Sequence, residues 1–295
     1  MSATSDRVRK MFGEGDTLRD AGLTMPDNIE RYDDICYGTD SKWQMLDVYR
    51  PKEKQGELLP VLINVHGGAW VYGDKERYQY YCMSLAQQGF AVVNFSYRLA
   101  PEYKFPAPVE DMNQVIHWIF AHKKEYGFDM EHIFAVGDSA GANLLNLYTM
   151  ICINPEYAKK YDIKTPQGFK PNAVALNCGA YIVKVNDDPN DLTSCLMKDY
   201  LPHGGSREEL EMVNALPYMT EEYPPAFVMT ANEDFLRSEA PVMVKRLQEL
   251  QILHEFRLYG NEEHPLQHVF HCNIKLEEAR KCNMEECAFF QRFLG

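Results

Sequence analysis

Gly137-Asp138-Ser139-Ala140-Gly141 is the stretch of this chain whose residue types and spacing could do chemistry. Ile133, Phe134, Ala135 and Val136 before it read as a short buried strand, while Ala142, Leu144, Leu145 and Leu147 after it recur at a helical spacing. A strand that passes into a helix through so short a turn is a nucleophile elbow. A Cβ at Gly137 or Gly141 would collide with adjacent backbone, so both positions require glycine. Ser139 is expected at the apex with its hydroxyl outward. The helix behind it aims free N–H groups and the positive end of its dipole at the reacting centre.

A serine hydroxyl is a poor nucleophile unless a base takes its proton, and a neutral imidazole, with an ordinary pKa near ~6.5, suits that task. A buried carboxylate would fix the imidazole tautomer and stabilise its cation. The candidates fall at the ends of apolar strands. His66, Gly67 and Gly68 close one, Asp234 follows another, and His264 and His268 both lie past a further one. In a doubly wound sheet functional groups gather at the carboxyl ends of the strands, and the order Ser139, Asp234, His fits that arrangement. Gly67 and Gly68 allow close backbone approach, and together with the Ala140 N–H they are the expected oxyanion donors.

The elements that must position these groups can be read in order. Residues 1–28 suggest one or two short helices lying on the body. Ile29–Tyr37 and Trp43–Tyr49 read as an antiparallel strand pair. Pro60 opens VLINVHGGAW, whose unbroken apolarity marks a strand covered on both faces. A helix over residues 78–86, a strand over 90–97, and the helical stripe Val109, Met112, Val115, Ile116, Ile119, Phe120 lead to the elbow. Beyond it come a polar connection (154–172), strands at 173–177, 226–230 and 254–259, and helices at 242–250 and 276–294. Residues 182–222 lack strong periodicity and are expected to form helical turns and loops over one end of the sheet. Strands alternating with helices predict an α/β protein with a mostly parallel, doubly wound sheet, helices on both faces and a small cap. With no repeat or linker, residues 1–295 are expected to form one domain, with 1–28 and 182–222 as cap or lid segments.

The 295 residues are 45% hydrophobic with a net charge of −13, a balance that repels phosphate backbones and anionic membranes and argues against nucleic-acid partners. The first residues, MSATSDRVRKMFGEGD, have no apolar h-region, and no apolar run is long enough to span a bilayer, so a cytoplasmic protein is expected. The eight cysteines include no CxxC pair, which suggests reduced thiols rather than a zinc site.

HGGAW (66–70), YRLAPE (97–102), FPAPVED (105–111), GDSAG (137–141), EDFL (233–236) and HVF (268–270) together resemble the hormone-sensitive-lipase branch of the α/β-hydrolases, which includes bacterial acetylesterases and carboxylesterases. The resemblance runs from about residue 43 to the end. It implies the α/β-hydrolase fold, with Ser139 as nucleophile, Asp234 as the acid, His268 as the base, and Gly67, Gly68 and Ala140 as oxyanion donors. Two positions depart from the family pattern: Phe235 stands where Asp-Pro-Leu has its proline, and Val269 where His-Gly-Phe has its glycine. His264 is the alternative base.

Other residues have plainer readings. His66 is expected to order its loop, Asp138 to be structural, Asp111 to complement a helix N-terminus and His271 to lie at the surface. Trp70 and Tyr72 are candidates to line the substrate pocket; Asp187, Asp188 and Asp191 read as solvated acids. The expected function is hydrolysis of short-chain carboxylic esters through an acyl-enzyme, with a small-molecule ester as partner and no metal or organic cofactor, in a monomer or dimer. The rivals are an arylformamidase or a deacetylase of acetylated sugars on the same scaffold, a small peptidase, and a ligand receptor on a catalytically dead hydrolase fold.

Overall fold

The computed structural model describes residues 2–295. In chain order the elements are α1 (Ala3–Asp20), β1 (Ile29–Cys36), β2 (Met45–Pro51), β3 (Leu59–Val65), α2 (Lys75–Ala86), β4 (Ala91–Phe95), α3 (Ala107–His122), β5 (Phe128–Asp138), α4 (Ala140–Ile153) and α5 (Pro155–Ala158). They continue with β6 (Ala173–Asn177), α6 (Leu192–Tyr200), α7 (Arg207–Val213), β7 (Ala226–Ala231), α8 (Ala240–Glu249), β8 (His254–Tyr259) and α9 (Glu277–Gln291).

The eight strands form one sheet in the order β1-β2-β4-β3-β5-β6-β7-β8. Only the β1–β2 and β2–β4 pairs are antiparallel; the other neighbours run parallel. This is the α/β-hydrolase architecture. Alternation along the strands divides the core in two. Val61, Ile63 and Val65 of β3 and Ala135 of β5 join the apolar layer under α3, α4 and α8, whereas Leu62 of β3 and Phe134 and Val136 of β5 join the layer under α2 and α9. Because both faces are covered, the central strands carry no polar alternation. The polar residues that do occur there are paired: Asn64 on β3 donates to Asn94 on β4 at 3.1 Å.

Three elements differ from the sequence expectation. The first 28 residues contain a single 18-residue helix, longer than the one or two short helices expected. Arg9 on α1 donates to the Val71 and Ala100 carbonyls, both at 2.8 Å, and Ser5 donates to Asp199 on α6, so tertiary bonds sustain a helix that Gly13 and Gly15 would weaken. β5 begins at Phe128, not Ile133, because its polar first half pairs with Leu59 and Pro60 across a bulge. Residues 182–222 carry two short helices: Asp191 caps α6 by accepting from the Ser194 N–H at 2.7 Å, and Ser206 and Glu209 form a capping box on α7.

Candidate active site

Ser139 sits between β5 and α4 at φ 51°, ψ −118°, a conformation that costs a non-glycine residue energy and persists only when its surroundings enforce it. They do. Its N–H donates to the Asn177 carbonyl at 3.0 Å, and its own carbonyl accepts from Ala180 N–H at 3.1 Å and Asn143 N–H at 3.2 Å. The flanking glycines permit this: a Cβ on Gly137 would stand 2.7 Å from the Gly141 carbonyl oxygen, and one on Gly141 would collide with the Val65 carbonyl.

Asp234 follows β7, buried and 6% exposed. Its Oδ1 accepts from His268 Nδ1 at 2.6 Å and from the Leu236 N–H at 2.8 Å, and its Oδ2 accepts from the Thr230 hydroxyl at 2.7 Å. Burial works to raise this carboxyl, but the hydrogen bond and charge of His268, with the Leu236 and Thr230 donors, hold it below the ordinary range. With Nδ1 committed to Asp234, Nε2 is the imidazole nitrogen left for chemistry. His264, by contrast, is exposed and held through its backbone N–H to Asn261 Oδ1 at 2.8 Å, with no bond to Asp234. Thr230 was missed by the sequence reading; a hydroxyl four residues before the acid, on the strand that carries it, was the available signal. Val269, at the family's glycine position, has φ 51°, the left-handed region that a β-branched residue resists.

The oxyanion loop corrects one expectation. Gly67 N–H is not free. It donates to Asp138 Oδ1 at 3.1 Å and to Tyr78 Oη at 3.0 Å. The N–H groups of Gly68, Ala69 and Ala140 have no protein acceptor among the described residues. Ala69 and Trp70 have φ of 52° and 59°, and Gly68 has φ 123°, where a Cβ would run into the Tyr72 carbonyl. Gly67 therefore anchors the loop, and the N–H groups without a protein acceptor begin one residue later, a shift no residue type at 67–70 announces.

Asp138 is structural, as its place on the turn suggested. It is buried and also accepts from Tyr78 Oη at 2.8 Å, and burial pushes its carboxyl up to about 6. His66 donates from Nδ1 to the Gly67 carbonyl at 2.7 Å and lies flat on Tyr97, ring centroids 4.0 Å apart. Burial brings its imidazole down to about 4. Two expectations fail. Asp111 is buried within α3, where it accepts from the Arg98 guanidinium and N–H and from Gln44 rather than serving the helix end. His271 is not at the surface: it is fully buried beside Tyr81, because α2 and α9 close over it. Trp70 is buried and stacks on Tyr200 of α6 at 5.2 Å. Tyr72 turns toward α1, donating to Asp16 at 2.8 Å and meeting Phe12 edge-on. It lines a cleft of about 520 Å³ with Arg9, Trp43, Lys75 and Arg77, and the lining includes none of Ser139, Asp234 or His268.

Two side-chain groups bring potential metal ligands within 4.8 Å of one another, Asp138 with His271 and Cys272, and Cys178 with Asp234 and His268. Both carboxylates already accept at both oxygens from protein donors, so each group has a hydrogen-bonding role without an ion. No helix among the described residues is long and apolar enough to cross a membrane.

The family model described as BD-FAE matches residues 46–240. The chain belongs to this family, and with it to the α/β-hydrolases of the hormone-sensitive-lipase-like kind that its motifs resemble. Among curated relatives, esterase LipC of Mycobacterium tuberculosis is 37% identical over 124 residues, covering 42% of this chain and 30% of that protein. Esterase LipQ of the same organism is 29% identical over 211 residues, covering 68% of this chain and 48% of that protein. The chain thus spans less than half the length of these two relatives. The solved structure of esterase B from Lactobacillus rhamnosis aligns with a TM-score of 0.86 at 23% identity, over 99% of this chain and 95% of that one, and so shares the fold.

Proposed function

We propose that the protein is a serine hydrolase that cleaves short-chain carboxylic esters through an acyl-enzyme, with Ser139 as nucleophile, His268 as base and Asp234 as its orienting acid. The observation that carries this reading is the Asp234–His268 pair, 2.6 Å apart and reinforced by Thr230, in a protein whose elbow serine is held in a strained conformation. His268 Nε2 takes the hydroxyl proton as Ser139 Oγ attacks the ester carbonyl carbon. The N–H groups of Gly68, Ala69 and Ala140 receive the oxyanion. Collapse breaks the bond to the alcohol oxygen, which leaves with the proton from His268, and water then releases the acid by the same steps in reverse roles. Asp234 stays ionised throughout, in keeping with its lowered carboxyl.

The preference for short acyl chains rests on what lies beside the oxyanion loop. Trp70 stacks on Tyr200, and Phe105 meets Tyr200 edge-on at 5.6 Å, so aromatic side chains already occupy that space. We read α1 and residues 182–222 as a small cap on one domain. Its largely charged and polar exterior is a poor lipid-facing surface.

The test is a serine-directed phosphonate with a panel of model esters, acetylated sugars and N-formylkynurenine. Stoichiometric labelling and ester turnover are expected. Ser139→Ala should fold, resist labelling, and lose about 10³- to 10⁶-fold in kcat. A Ser139→Ala protein that hydrolyses p-nitrophenyl acetate at the wild-type rate would refute the assignment. Turnover confined to acetylated sugars or N-formylkynurenine would transfer the substrate class.

A further inference from the structure

We propose that Phe235 is the floor of a leaving-group subsite, an aromatic platform against His268 that selects esters of aromatic alcohols. The inference rests on the ester-hydrolase reading above and concerns which alcohol that site takes.

Phe235 occupies the outer corner of a tight turn, with Leu236 N–H donating to the Asp234 side chain at 2.8 Å and Arg237 N–H to the Asp234 carbonyl at 3.0 Å. Turn corners usually carry proline, glycine or a short polar residue, for which phenylalanine has no conformational advantage. The ring is 71% exposed, yet its centroid lies 4.2 Å from that of His268, tilted by 43°. One part of the ring covers the imidazole, while most of it faces solvent. Simple shielding of the Asp234–His268 pair would be served by a ring tucked inward; an aromatic face left open beside the base is suited to pairing with a second aromatic ring.

The proton path says which group that is. Because Asp234 holds Nδ1, the departing alcohol oxygen must collect its proton from Nε2. The alcohol oxygen therefore departs from the same imidazole that Phe235 lies against. The acyl chain does not share this constraint, since it stays bonded to the carbonyl carbon on the oxyanion side. An aromatic alcohol can stack offset or edge-on against Phe235, an arrangement that favours aromatic over aliphatic partners by roughly three- to tenfold. A saturated ring of equal size gains burial but not the ring–ring geometry.

The experiment compares benzyl acetate with cyclohexylmethyl acetate, which have similar leaving groups and differ in aromaticity, on the wild type, Phe235→Leu and Phe235→Tyr. The benzyl-to-cyclohexylmethyl ratio of kcat/KM is expected to fall by about three- to tenfold in Phe235→Leu and to be kept in Phe235→Tyr. Stoichiometric phosphonate labelling of each variant verifies an assembled site. An unchanged ratio in Phe235→Leu overturns the subsite. So does an equal fall for both esters with a displaced acid limb in the pH profile, because Phe235 would then act only through the base. A wild type that turns over no ester and takes no phosphonate overturns instead the ester-hydrolase reading, which separates the two failures.

Discussion

Glu286 on α9 is a fully buried carboxylate with no part in the proposed chemistry, and replacing it with glutamine should make the protein more stable at alkaline pH but not at acid pH. Its Oε2 accepts from Asn177 Nδ2 at 2.6 Å and its Oε1 from Tyr81 Oη at 3.2 Å. Burial, with the nearby Asp138, outweighs these two donors and lifts the carboxyl from the ordinary 4.5 to about 7. A folded-state value above the unfolded one stabilises only while both states are protonated. Below about 4.5 the group adds no penalty. Between about 4.5 and about 7 the unfolded chain ionises while the folded one resists, and above about 7 the loss is complete at about 3 kcal/mol. Glu286→Gln removes this slope: its carbonyl can accept from Asn177, and its amide can donate to a Tyr81 hydroxyl turned to accept. Urea unfolding of both proteins near pH 5 and pH 8 measures the effect. The stability difference, variant minus wild type, should rise by about 2.5 kcal/mol between those two conditions. Asp138, raised to about 6, keeps part of the pH dependence in the variant below that value. Parallel pH curves for the two proteins would refute the reasoning, because they would mean that Glu286 ionises alike folded and unfolded.

The other predictions concern the site. His268→Ala should abolish ester turnover while His264→Ala keeps most of it, and steady-state rates showing the reverse would move the base to His264. Thr230→Val removes one donor to Asp234 at nearly constant volume. A lost hydrogen bond to a charged group should lower kcat/KM about tenfold, and a value within twofold of wild type would count against a positioning role. With p-nitrophenyl esters of increasing chain length, kcat/KM should peak between acetyl and butyryl and fall by hexanoyl to octanoyl. Rates that climb through decanoyl, or a jump at the onset of emulsion, would contradict the filled space around Trp70 and Tyr200.

The elbow was legible because its information is local. An apolar run, two glycines and a helical spacing fix the backbone within nine residues either side of Ser139, and the unbroken apolarity of β3 and β5 reports a strand covered on both faces. What was misread depends on partners distant in sequence. Gly67 was expected to offer its N–H to the oxyanion, but Asp138, 71 residues on, takes that donor. His271 looked like a surface residue because nothing adjacent to it indicates that α2 and α9 meet over it. Asp111 sits where a helix-end acid would, and only the fold brings Arg98 and Gln44 to its carboxylate. Residues 1–28 were expected to form one or two short helices, whereas Arg9 and Ser5 hold an 18-residue helix from outside.

Some long-range partners hold the strained turn. The Ser139 N–H depends on the Asn177 carbonyl, and the Asn177 side chain is itself held by Glu286. On the other side, Asp138 ties the turn to the oxyanion loop through Gly67 and to α2 through Tyr78. Both buried acids have raised carboxyls, so the folded state loses stability as pH rises from 3.8 to about 6 for Asp138 and from 4.5 to about 7 for Glu286. A stability gain in Glu286→Gln accompanied by slower acylation of Ser139 would show that the buried charge is kept for the geometry it imposes on the nucleophile. A gain without loss of rate would assign that geometry to the backbone bonds alone, with Glu286 acting only as a filler of the space between β6 and α9.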